Sequence, residues 1–154
     1  MKYILALDLS LSSTGAVVFS ENGKHKEIIT IETSPNDETP IRLKIIANRL
    51  KKIKKQYDIK TVVIERGFTR FNTSTQQIFR CHGIANYIFA GIPQIYYSSK
   101  SIRKIVLGNG NAKKEEVRDF ILKKYKKIKF KNMDETDAMS IGLCFFMDEE
   151  NIKK

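Results

Sequence analysis

Residues 3–19 read Tyr3-Ile4-Leu5-Ala6-Leu7-Asp8-Leu9-Ser10-Leu11-Ser12-Ser13-Thr14-Gly15-Ala16-Val17-Val18-Phe19. Residues 3–7 form a nearly unbroken apolar run, the pattern of a strand buried on both faces, and residues 16–19 form a second. Asn22-Gly23 then supplies a hairpin turn, because both residues tolerate positive φ. In residues 26–33, Ile29 and Ile31 alternate with polar neighbours. The opening of the chain is therefore expected to be a three-stranded antiparallel meander whose first strand ends on an acid, Asp8.

Working outward, residues 34–40 read as a polar loop. From Leu43, the apolar residues Ile46, Ala47, Leu50, Ile53 and Tyr57 recur at helical spacing. Arg42, Lys44, Arg49, Lys51, Lys52, Lys54 and Lys55 are expected on the outer face of that helix. Residues 61–64 form a β-branched strand ending on Glu65, and a helix is expected from Thr73 to about residue 90, stopped by Gly91 and Pro93. Residues 94–97 give a fifth strand and Ser98 caps a short helix. Gly108-Asn109-Gly110 breaks the chain, and Asn111 is expected to cap a helix running to about residue 127. The last helix begins at Asp134. The fold class is thus α/β, with a sheet of mixed direction flanked by helices.

The composition agrees. A chain of 154 residues, 42% hydrophobic and 29% charged, with 3 Pro and 8 Gly, fits one ordered domain over residues 1–154. No apolar run approaches the 18 or so residues of a membrane span, and the N-terminus meets Asp8 too early for a signal peptide, so a cytosolic protein is expected. Cys81 and Cys144 lack metal-ligand spacing and read as reduced thiols. The net charge is +11, but residues 41–60 alone carry +7 and residues 100–131 carry +9. The remainder is acidic, and such polarisation suits a basic face for a polyanion, most simply nucleic acid.

The acids fall where chemistry is expected. Asp8 ends the first strand and Glu65 the fourth, and the carboxyl ends of adjacent strands are the usual place for a site in such sheets. Asp134 and Asp137, three apart, project from one side of the first turn of the last helix. Four converging carboxylates are hard oxygen ligands that suit Mg²⁺, with Mn²⁺ as a substitute. Two such ions activate water and stabilise the leaving oxygen in phosphodiester hydrolysis. Each acid also has a plainer reading: Asp134 and Asp137 fit a helix cap and third helical position, Asp8 a polar turn, Glu65 an exposed strand end. The Gly-rich turn before Lys113 and Lys114 allows backbone amides to approach a phosphate. In Phe68-Thr69-Arg70-Phe71, a basic residue lies between aromatics able to stack on bases. His25 and His82 are read as structural or exposed. Ile78, Phe79, Ile84, Tyr87 and Ile88 form either a dimer face or core.

Four motifs, Ile4-Leu5-Ala6-Leu7-Asp8 with Thr14-Gly15, Ile64-Glu65-Arg66-Gly67-Phe68, Gly108-Asn109-Gly110-Asn111-Ala112-Lys113-Lys114 and Asp134-Glu135-Thr136-Asp137-Ala138, stand in the order and spacing of one family. In them the chain resembles the RuvC-type Holliday junction resolvases of the RNase H-like nuclease superfamily. The resemblance implies an RNase H-like five-stranded sheet and a homodimeric, metal-dependent endonuclease that nicks two opposing strands of a four-way DNA junction symmetrically. It implies that Asp8, Glu65, Asp134 and Asp137 bind metal and that Lys114 lies near the scissile phosphate. It further implies that Arg103 contacts DNA and that Phe68 inserts at the crossover. Ala6, Leu9 and Ser10 replace residues common at the family's start, which is more similar to a divergent, phage-type branch, in a bacterial or phage-infected cytosol. The other readings are an RNase H-like nuclease of branched DNA or RNA:DNA hybrid, a non-catalytic junction-binding protein, and a nucleotide-binding fragment of the sugar-kinase type. A helicase or branch-migration partner is left open.

Overall fold

The computed structural model describes residues 1–67 and 73–152. Strands β1 (Tyr3–Asp8), β2 (Ser13–Ser20) and β3 (His25–Glu32) pair antiparallel in turn. Helix α1 (Thr39–Gln56) leads to β4 (Ile59–Glu65), which lies parallel to β1, and α2 (Thr73–Ile88) leads to β5 (Gln94–Tyr97), parallel to β4. Helices α3 (Ser99–Leu107), α4 (Lys114–Lys124) and α5 (Met133–Ile152) follow. The sheet order is β3-β2-β1-β4-β5, the mixed five-stranded sheet expected from the sequence.

Strand periodicity divides the core into two layers. Leu5, Leu7, Val18, Val62 and Ile64 face α1 and α2, meeting Ile46, Leu50, Ile53, Cys81 and Ala85. Their alternates Ile4, Ala6, Val17, Phe19 and Val63 face α3, α4 and α5, meeting Ile102, Ile121, Met139 and Ile141. Both thiols are free and fully buried, one in each layer. Among the described residues no helix is long and apolar enough to cross a membrane.

Several expected boundaries move, each for a local reason. Helix α1 begins at Thr39, inside the expected loop, because Pro40 occupies its first turn, where a fixed φ favours the helix and a missing N–H costs nothing. Arg42 is buried, not on the outer face: its Nε donates to Thr33 Oγ1 at 2.8 Å and its guanidinium to Ser12 Oγ at 3.0 Å. Asn111 does not cap α4. The cap residue is Lys113, and the amide of Asn111 donates instead to the Asn109 side chain, closing a local turn. Ser98 caps α3 as expected, its hydroxyl accepting from the Ser101 N–H at 3.0 Å. His25 is exposed, whereas His82 is buried with its ring stacked on Tyr96.

Candidate metal centre and its basic rim

Parallel pairing runs to Leu7 opposite Ile64, so Asp8 and Glu65 are the next residues on adjacent strands, level at their carboxyl ends. Asp8 pairs on its other side with Gly15 of β2. A Cβ on Gly15 would stand 2.0 Å from the carbonyl oxygen of Asp134, so only glycine lets the start of α5 lie on the sheet there. This close approach puts carboxylate oxygens of Asp8, Asp134 and Asp137 within 4.8 Å of one another. Glu65 stands outside that triplet and accepts a hydrogen bond from the Ser99 hydroxyl of α3.

The capping alternative for the α5 acids does not hold. Asn132 does that work, its Oδ1 accepting from the Glu135 N–H at 3.1 Å. Glu135 is the structural acid of the motif: buried, it accepts from the Thr30 hydroxyl at 2.6 Å and from the Lys131 N–H at 2.6 Å, tying α5 to β3.

Crowding the acids has an electrostatic cost. Burial, then the charges of Asp137 and Glu65, push the Asp8 carboxyl up to about 7, with Lys114 opposing. Asp137 is 4% exposed and pairs with two cations. Arg118 donates from Nε to Oδ1 at 3.0 Å and from its terminal nitrogen to Oδ2 at 2.8 Å, and Lys114 Nζ reaches Oδ2 at 2.8 Å. Burial works against the charge on Lys114, but the hydrogen bond to Asp137 and the fields of Asp8 and Glu65 outweigh it and raise its pKa. Among the described residues the cluster is all carboxylate, with no imidazole or thiolate, and Asp8 is made protonation-prone by burial and then by its acidic neighbours; such a set fits a hard divalent cation, which would relieve the repulsion.

Beside the acids lies a cleft of about 30 Å³ lined by Glu65, Ser99, Arg103, Lys114 and Asp137, among others. The structure thus brings Arg103 and Lys114 to the acids. Lys113 is exposed at the start of α4, and its backbone N–H is taken by Glu116 at 2.6 Å. Phe68 and Arg70 lie outside the described residues. Sequence reasoning missed Arg118, Ser99, Asn132 and Glu135. Arg118 left a signal, since it stands four residues after Lys114 and so on the same face of α4. Asn132 and Glu135 left one too, since an Asn followed three residues later by a Glu has the spacing of a helix N-terminal capping box.

A family model described as "Crossover junction endodeoxyribonuclease RuvC" matches residues 4–145. The crossover junction endodeoxyribonuclease RuvC of Shewanella amazonensis is 30% identical over 99% of this chain and 91% of its own length. That of Cupriavidus pinatubonensis is 26% identical over 92% and 81%. Among solved structures, Thermus thermophilus RuvC superimposes with a TM-score of 0.83 at 21% identity, covering 96% of this chain and 95% of its own. A second structure, of T. thermophilus RuvC in complex with a Holliday junction substrate, gives 0.81 at 20% identity.

Proposed function

Because the chain belongs to the family of RuvC crossover junction endodeoxyribonucleases, with the family match running from residue 4 to 145, we propose that it resolves four-way DNA junctions by paired, symmetric hydrolysis of two phosphodiester bonds. The observation that carries this reading is the triplet of Asp8, Asp134 and Asp137, with ligand atoms within 4.8 Å. It sits at the carboxyl end of a parallel strand pair and is rimmed by Lys114 and Arg103. The triplet and Glu65 would hold two Mg²⁺ ions, or Mn²⁺ in their place. Asp8, Glu65 and Asp137 would supply ligands, and Asp134 would orient metal or water. Bound there, such ions supply water activation and stabilisation of the leaving oxygen.

The chain's own residues do the rest. Lys114 and Arg103 place positive charge where the scissile phosphate must sit, and the basic stretches attract the backbone from a distance. Phe68 stacks at the crossover, with Arg70 and Lys113 on flanking phosphates. Read as one nuclease domain over residues 1–154, the chain has one such acidic centre among its described residues, so symmetric cutting requires a second copy. Phe79, Gly83 and Tyr87 lie at successive four-residue steps along α2; both aromatics are exposed and the glycine has open space above it, which supports this stripe as the dimer face.

The test is cleavage of a labelled synthetic four-way junction, a matched duplex and an RNA:DNA hybrid, with Mg²⁺ or chelator. Paired, metal-dependent nicks confined to the junction are expected, with Asp8→Asn inactive yet still binding. Binding without cleavage by the wild-type protein would favour an architectural role, and cleavage of the hybrid alone would make it a ribonuclease.

A further inference from the structure

Asp137 differs from the other acids of the centre in having two cations in contact with it, and the two contacts are unlike. Arg118 grips both carboxylate oxygens in a fork, with its side chain 23% exposed. Lys114 touches Oδ2 alone, and its side chain is 47% exposed. Two parallel hydrogen bonds from a planar guanidinium fix the plane of a carboxylate, whereas one ammonium on a four-carbon stem is a mobile point charge, readily rehydrated. A divalent cation joining Asp8, Asp134 and Asp137 needs an oxygen of Asp137. Surrendering the single, more solvated Lys114 contact costs less than opening the fork. Arg118 also lies on α4 in the turn after Lys114, so it stays in place when the lysine swings away.

We propose that Arg118 is a positioning residue of the acidic centre: it holds the Asp137 carboxylate by both oxygens as a resident counter-ion, so that Lys114, and not Arg118, is the partner that would give way where Asp137 holds a divalent cation. Lys114, freed from Asp137, would then be available to a substrate phosphate. The resident charge also weakens cation binding while keeping the ligand aligned. Removing it should therefore move affinity and rate in opposite directions. This inference rests on reading the acids as a metal centre.

The experiment is calorimetric titration of the full-length, DNA-free protein with Mn²⁺, alongside junction cleavage as a function of Mn²⁺ concentration, for wild type, Arg118→Gln and Arg118→Lys. Arg118→Gln is expected to bind Mn²⁺ roughly tenfold more tightly, because a competing charge is gone. It should cleave at least about tenfold more slowly at saturating Mn²⁺, because Asp137 is no longer aligned. Arg118→Lys keeps the charge and loses the fork, so its Mn²⁺ affinity stays near wild type while the saturated rate remains low. Unchanged affinity in Arg118→Gln, or a full rate in Arg118→Lys, overturns the proposal. If the wild type binds Mn²⁺ and Arg118→Gln tightens it, but no junction is cut, the junction reading fails and this one stands. Junction cleavage by the wild type with no affinity change in Arg118→Gln gives the reverse.

Discussion

Asp8 is carried by an apolar strand into a buried position and meets three further acids there, so burial first and those acids second, against the opposing charge of Lys114, disfavour its charged form. Its carboxyl titrates near 7 in the fold and near 3.8 when free. Between those values the folded state binds more protons than the unfolded one, so with no cation added this group makes stability fall as pH rises from about 4 to about 7. At about 1.4 kcal/mol per pKa unit, the cost is of order a few kcal/mol above pH 7. Asp8→Asn removes that cost. We expect its unfolding midpoint in chelator to exceed that of the wild type by several degrees at pH 8, with the gap closing at pH 4. Equal midpoints at both pH values would show that Asp8 is not under electrostatic load. The acids themselves were legible as strand-end and helix-start residues. Arg118 was legible only through its place four residues after Lys114, because a cation on a lysine-rich helix carries no mark of the partner it faces.

At the level of elements, the centre depends on how closely α5 lies on β2. Two glycines permit it at different heights: Gly15 beneath the Asp134 carbonyl, and Gly142 where a Cβ would meet the Phe19 ring at 2.1 Å. Gly15→Ala forces the first turn of α5 away from Asp8, and a displacement near 1 Å costs about 100-fold in rate. Gly142→Ala overpacks the distal side of the same contact and costs about 1–3 kcal/mol. We therefore expect Gly15→Ala to fold and lose junction cleavage, and Gly142→Ala to melt earlier while cleaving normally at low temperature. Similar activity losses in both folded variants would remove the distinction. Element types and order followed from hydrophobic patterning, since the short unbroken apolar run of residues 3–7 and the 3.6-residue spacing of α1 report burial directly. Ends followed less well. Pro40, Asn111 and Asp134 each suit more than one position at a helix start, and local geometry within two or three residues decided among them: the fixed φ of Pro40, the turn of Asn111 onto Asn109, and the Asn132 cap of Glu135.

Across the whole molecule, the basic surplus does not form the single face that its sequence clustering suggests. Helix α1 packs on one side of the sheet and α3 and α4 on the other, so residues 41–60 and 100–131 address solvent from opposite layers. Only the second stretch reaches the acidic centre, through Arg103, Lys114 and Arg118. The exposed stripe on α2 carries the proposal of symmetry. Tyr87 is 78% exposed, so Tyr87→Glu should leave the fold intact. Light scattering is expected to show a shift from dimer to monomer, and junction products should change from paired to single nicks. A variant that stays dimeric would move the interface elsewhere. Of the five apolar residues considered for that face, Ile88 is core and Ile84 packs against it. Spacing alone could not separate them from Phe79 and Tyr87, because both sides of α2 are apolar.

Local order in the chain was thus enough for the mixed sheet, the flanking helices and the candidate acids, because burial imposes periods that survive in one dimension and polar residues stand out where those periods end. What waited for three dimensions was every relation between elements. The glycine that seats α5 on β2, the fork between Arg118 and Asp137, the tie from Glu135 to Thr30 and the division of the lysines between two faces all join residues far apart along the chain or pointing in directions that a string of letters does not record. Charges and hydrogen bonds depend on distances of a few ångströms, and those exist only once the layers have packed.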